Sequence, residues 1–203
     1  LGAVLVIADT LALALAPDHV GALMTVGGLL RQGGNLDAAA SLFRRVAELD
    51  PRDANALFQL GGTLAERDEL EAARAAFAGA RGRDSGLLRA ALAERLTLPM
   101  VPESTAGLVA ARAAFDLGLQ ALEGSLPAAA VALAPDRLLD ELRWSNFLLA
   151  YQGGDDKALQ RRYAALVGAM INKRRPEWWH SVERRVHGAS RVRIGFASAF
   201  FRD

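Results

Sequence analysis

A 34-residue echo constrains this chain more than any other feature. Pro17 and Pro51 stand 34 positions apart, each followed by a polar pair, Asp18-His19 and Arg52-Asp53. Behind them, at the same offset, Leu23 answers Leu57, Gly27-Gly28 answers Gly61-Gly62, and Leu30 answers Leu64. Leu36 answers Leu70, Ala38-Ala39 answers Ala72-Ala73, and Phe43 answers Phe77. A fixed period of this length marks a solenoid of helix pairs, in which each repeat buries its apolar face only by stacking on the next. The work of such a scaffold is to hold another chain, so the echo alone points to a binding module.

The spacing inside each copy assigns the helices. Leu23, Val26 and Leu30 follow helical periodicity over Val20–Gln32, and Gly33-Gly34-Asn35 breaks it. Ala39, Leu42, Phe43 and Val46 share one face of a return helix over Leu36–Leu49, closed by Asp50-Pro51. Asp53 is placed to cap the next helix, Ala54–Glu66; Arg67-Asp68 turns the chain, and Leu70–Ala80 returns it. Turns this short force antiparallel neighbours. Gly27 and Gly61 fall where the helices of one repeat cross. A helix-interior glycine costs about 1 kcal/mol relative to alanine, so its recurrence at the repeat period argues for a close contact that offsets the loss.

Composition narrows the function classes. With no cysteine among 203 residues there is no disulfide framework, thiolate metal site or cysteine nucleophile. The apolar opening Leu1–Ala16 has no basic start, carries Asp9 in its middle and is short for a membrane span. It reads as the second helix of a preceding repeat, and a cytoplasmic location is expected. Charge is unevenly placed: residues 1–135 hold 11 basic and 15 acidic side chains, and residues 136–203 hold 13 and 8. The basic tail raises nucleic acid as a partner.

After residue 85 the period fades. Further helices are expected over 86–96, 104–123, 137–152 and 155–171, with Pro99, Pro102, Pro127 and Pro135 breaking the stretches between them and Gly153-Gly154-Asp155-Asp156 as a turn. Residues 176–187 suit one more short helix. Arg191 to Phe201 first alternates charged and branched or aromatic residues and then runs apolar, the pattern of a β-strand that opens an α/β domain.

Two stretches carry family resemblances. Residues 20–85 resemble the tetratricopeptide repeat. Its pattern is filled by Leu23, Val26, Gly27, Leu30, Ala39, Phe43, Val46 and Pro51, then by Leu57, Leu60, Gly61, Leu64, Ala73, Phe77 and Ala80, with Ser85 departing from the closing proline. The segment Arg191-Val192-Arg193-Ile194-Gly195-Phe196-Ala197-Ser198-Ala199-Phe200-Phe201-Arg202-Asp203 is similar to the opening strand of the catalytic domain in bacterial protein O-linked N-acetylglucosamine transferases of the SPINDLY-like type. Ser145 to Tyr151, with Asp155-Asp156, is similar to the joint between repeats and catalytic domain in that family. The resemblance implies an all-α solenoid over 1–85, a helical spacer over 86–190 and the first strand of a truncated glycosyltransferase domain over 191–203. It implies UDP-N-acetylglucosamine as donor for the parent enzyme, an acceptor polypeptide in the repeat groove, and the catalytic domain as a partner in cis. A chain ending at Asp203 would lack the catalytic residues. Eukaryotic members line the groove with asparagines, and here those positions hold Thr25 and Gln59, of which Gln59 is the better hydrogen-bonding group.

Other constellations have plainer readings. His180 and His187, two helical turns apart beside Glu177 and Glu183, could bind a metal or act as acid and base, but a pair of surface histidines accounts for them. His19 lies in an inter-repeat turn facing solvent. Trp178-Trp179 after Arg174-Arg175-Pro176 suits docking onto a following domain more than stacking on single-stranded nucleic acid. Asp140-Glu141 and Asp155-Asp156 read as turn and cap residues. Beside the glycosyltransferase reading stand a non-enzymatic repeat adaptor and an RNA-associated helical protein using the basic segment 173–193.

Overall fold

The computed structural model describes residues 14–178, and every regular element among them is helical. Four helices follow the repeat: α1 (Val20–Gln32), α2 (Leu36–Leu49), α3 (Ala54–Glu66) and α4 (Leu70–Arg83). Each packs on the next, and α1 also touches α3, so alternate helices line one side of the stack. Then come α5 (Leu88–Leu96), α6 (Thr105–Ala130), α7 (Pro135–Glu141) and α8 (Lys157–Arg174), with 3-10 turns at Phe147–Tyr151 and Pro176–Trp178. α5 continues the stack onto α4, α6 packs on α5, and α8 packs on α6.

The echo in sequence is an echo in backbone geometry. Asn35 donates its backbone N–H to Leu30 O at 2.8 Å, and 34 residues on Glu69 donates to Leu64 O at 2.9 Å. Gly34 and Asp68, also one period apart, both sit in the left-handed region, at φ 80° and 62°. Asn35 and Asp53 cap α2 and α3 through side-chain oxygens, on the N–H groups of Ala38, Asn55 and Ala56. His19 is exposed, and it also caps α1 by accepting from Ala22 N through Nδ1. At Gly27 an added Cβ would lie 2.8 Å from the Phe43 ring, and at Gly61 2.6 Å from the Phe77 ring. The absent side chains therefore let α1 meet α2, and α3 meet α4, over a buried phenyl ring in each repeat, as the paired glycines predict.

Beyond residue 85 the expected bounds need correction. α4 runs on to Arg83, α5 starts at Leu88, and α8 extends to Arg174. Pro127 does not break the chain: it is buried inside α6, which continues to Ala130. The reason is the buried stripe Phe115, Leu119, Leu122, Leu126 and Ala130, which keeps helical spacing straight past the proline. A proline there forfeits one backbone bond near the helix end, and the stripe holds the last turn. The expected helix over 137–152 is two elements instead: α7 stops at Glu141, and a 3-10 turn covers Phe147–Tyr151. Between them the carbonyl of Trp144, which a continued helix would use internally, accepts from the Tyr163 hydroxyl at 2.9 Å. The strand expected over 191–201, the histidines His180 and His187, Trp179 and most of the opening apolar stretch lie outside the described residues.

Candidate polypeptide-binding face

The side of the stack lined by α1, α3 and α5 carries a cleft of ≈ 420 Å³. Arg31 enters it from α1, Phe58, Gly62, Ala65 and Glu66 from α3, and Ala93 and Leu96 from α5. Its far wall is the segment Arg143 to Leu148, and Met100 stands at its edge. The cleft is thus shared between the repeats and the region after them. Trp144 fastens the two parts together. Its side chain packs against the repeat core around Phe77 and against the second core around Leu119, and its ring lies 5.9 Å from that of Tyr163.

The two expected groove residues behave differently. Gln59 accepts a hydrogen bond from Arg31 Nη1 at 3.0 Å. Arg31 also donates through Nε and Nη2 to Glu66 Oε1, at 3.1 and 2.7 Å. The guanidinium lies across Gly62, where an added Cβ would come within 2.6 Å of Nη2. Gln59 therefore belongs to a polar ladder spanning α1 and α3. Thr25 does not join it: its hydroxyl donates to Gly21 O of its own helix at 3.0 Å. Sequence reading missed Arg31 and Glu66, whose signal is weak because their contact crosses 35 residues.

A second unforeseen contact fixes the far wall. Glu141 is 3% exposed, and its Oε2 accepts from the backbone N–H of Arg89 at 3.0 Å. It thereby satisfies a donor in the first turn of α5, a helix whose own cap position, Leu87, has no side-chain oxygen to offer. The Arg89 guanidinium stacks over Phe58, 4.9 Å from the ring centroid. Glu141 is a cap, as its sequence setting suggests, but for a helix 52 residues away. Asp155 serves its own turn, its Oδ1 accepting from Lys157 N at 3.0 Å, whereas Asp156 makes no side-chain cap and instead pairs with Arg112 of α6 at 2.7 Å.

Away from the cleft, the pKa shifts at Tyr163, Glu123 and Arg162 come from burial and pairing between helices. Burial pushes the Tyr163 hydroxyl up to about 12. Hydrogen bonds from Arg162 hold the Glu123 carboxyl below its ordinary range, and the same partner raises the Arg162 guanidinium. Arg162 forms a fork on Glu123, at 2.9 and 3.0 Å, and also meets Asp116, pinning α8 to α6. Among the described residues no group of three His, Cys, Asp or Glu side chains could hold a metal ion, and no helix is long and apolar enough to cross a membrane.

Residues 8–54 and 27–87 match the tetratricopeptide repeat family model, and this part of the chain is a tetratricopeptide-repeat region. Among solved structures the chain is similar to one described as the crystal structure of MamA, with 18% identity, a TM-score of 0.49, and coverage of 85% of this chain and 88% of that one. No curated protein matches the chain.

Proposed function

We propose that this chain is the polypeptide-holding part of a protein O-glycosyltransferase that moves N-acetylglucosamine, or a related sugar, from a nucleotide donor to serine or threonine. The observation that carries the holding role is the shared face of α1, α3 and α5, with an apolar floor at Phe58, Ala93 and Leu96 and a polar ladder at Arg31, Gln59 and Glu66. An extended acceptor laid along it would meet apolar side chains and amide or guanidinium groups able to bond its backbone. Gln59 and Thr25 are proposed to touch that backbone, Gln59 by its amide and Thr25 by its hydroxyl. The sugar-transfer half rests on the likeness of Arg191 to Asp203 to the opening strand of the transferase domain, with UDP-N-acetylglucosamine as donor for the parent enzyme. A non-enzymatic adaptor is the reading the helix pairs support when taken alone.

The test is radiolabel transfer. A protein with this chain followed by the rest of its reading frame should label an acceptor protein from UDP-N-acetylglucosamine, while residues 1–203 alone should bind that acceptor and transfer nothing. Binding without transfer by the longer protein, or a reading frame with no α/β pattern after Asp203, establishes the adaptor instead.

A further inference from the structure

We propose that the cleft between the repeats and segment 143–148 is a composite recognition site for an extended polypeptide bearing a bulky apolar residue beside a carboxylate. This rests on the polypeptide-holding reading above and narrows it: the determinant is built partly by the region after the repeats. The floor is apolar, and the rim exposes two large apolar side chains, Met100 at 51% and Phe147 at 64%. Phe147 is braced by Tyr151, whose ring lies 5.0 Å away. The main chain at Met100 is fixed by its N–H, which donates to Asp68 Oδ1 at 3.1 Å. Two exposed apolar side chains flanking an apolar floor suit the insertion of a third, which would take all of these surfaces out of water.

Charge decides what stands next to that anchor. Among the described residues the charged side chains lining the cleft are Arg31, Glu66 and Arg143. Arg31 and Glu66 neutralise each other at 2.7 Å. Arg143 is 82% exposed in its side chain, and its nearest carboxylate, Asp140, lies 3.8 Å away, beyond hydrogen-bond reach. Among the described residues the cleft therefore presents one cation, Arg143, with its donors uncommitted, and a carboxylate on the incoming chain complements it.

The experiment uses the 203-residue chain and four fluorescein-labelled Gly/Ser/Thr dodecapeptides, read by anisotropy at low salt. One carries Phe followed by two Asp; the others replace Phe by Ser, both Asp by Asn, or both Asp by Lys. The Phe/Asp peptide should bind about tenfold or more tighter than the rest. Phe147→Ser should remove that advantage, and Arg143→Glu should transfer it to the Lys peptide, with unchanged thermal unfolding because both side chains are exposed. Equal binding of all four peptides, weakened by Gln59→Ala, would keep the polypeptide-holding reading and overturn the composite site. No binding of any peptide would count against both. Self-association that Phe147→Ser abolishes, without any peptide preference, would make the patch an interface between copies and overturn the proposal.

Discussion

Glu141 and Arg89 meet across 52 residues, the carboxylate of the first accepting from the backbone N–H of the second. One buried acid thus completes a helix start that its own sequence leaves uncapped, and locks α7 against α5. Glu141→Ala should cost about 1–3 kcal/mol, the range for orphaning a buried donor. Glu141→Gln, which keeps an acceptor oxygen, should recover most of that. Urea unfolding of the two variants checks the difference, and equal losses would refute the capping role.

Two helical glycines of the repeats, one at a crossing and one facing open space, predict opposite signs for similar substitutions. Gly61→Ala drives a methyl into the Phe77 ring and should destabilise by about 1–3 kcal/mol. At Gly28 nothing lies within 4 Å of an added Cβ, so Gly28→Ala should stabilise by up to about 1 kcal/mol through helix propensity. The two midpoints in one denaturant series should move apart.

Tyr163 sets an alkaline limit. Its folded value, about 12, lies above the unfolded value because burial favours the neutral phenol. The stability this shift contributes is whole below about pH 10, the ordinary tyrosine value, and is lost as pH rises toward 12. Absorbance at 295 nm should show one late-titrating tyrosine that Tyr163→Phe removes. That variant should also lose about 1 kcal/mol with the bond to the Trp144 carbonyl.

At the acid end the fork between Arg162 and Glu123 acts in the other direction. The Glu123 carboxyl is depressed by hydrogen bonds from Arg162, so its contribution is present above the ordinary carboxylate range and fades as pH falls through the lowered value. The pair is more than one-third exposed, which caps its worth at about 1 kcal/mol at low salt. A Glu123→Gln, Arg162→Met double-mutant cycle, run at neutral pH and again at acid pH, should show the coupling energy shrinking on acidification.

The helix pairs were legible because their information is local. Phe43 and Phe77 recur at the repeat period with a glycine to receive each ring, Asn35 and Asp53 cap where a helix must begin, and Pro51 closes one copy before the next. α1, α2 and α3 consequently have the bounds that periodicity predicts. The helices after residue 85 depend on distant partners. Past the end of α7 the Trp144 carbonyl is taken up by Tyr163, 19 residues away, and the start of α5 is capped by Glu141, 52 residues away. Pro127 reads as a breaker until the stripe from Phe115 to Ala130 is seen to run through it. Gln59 reads from the sequence as a polar groove position; its engagement by Arg31 does not, since nothing near Arg31 in sequence marks it as lying across Gly62.

Trp144 has a practical consequence for anyone dissecting the molecule. Cutting after residue 85 looks natural from the fading of the period, yet it would remove the indole that covers the repeat core and also the α5 helix that seats it. Severed there, the amino-terminal piece would carry a raw hydrophobic scar where its groove should be. The shortest fragment that keeps both walls of the cleft, and the helix that steadies the indole from behind, must reach through α8.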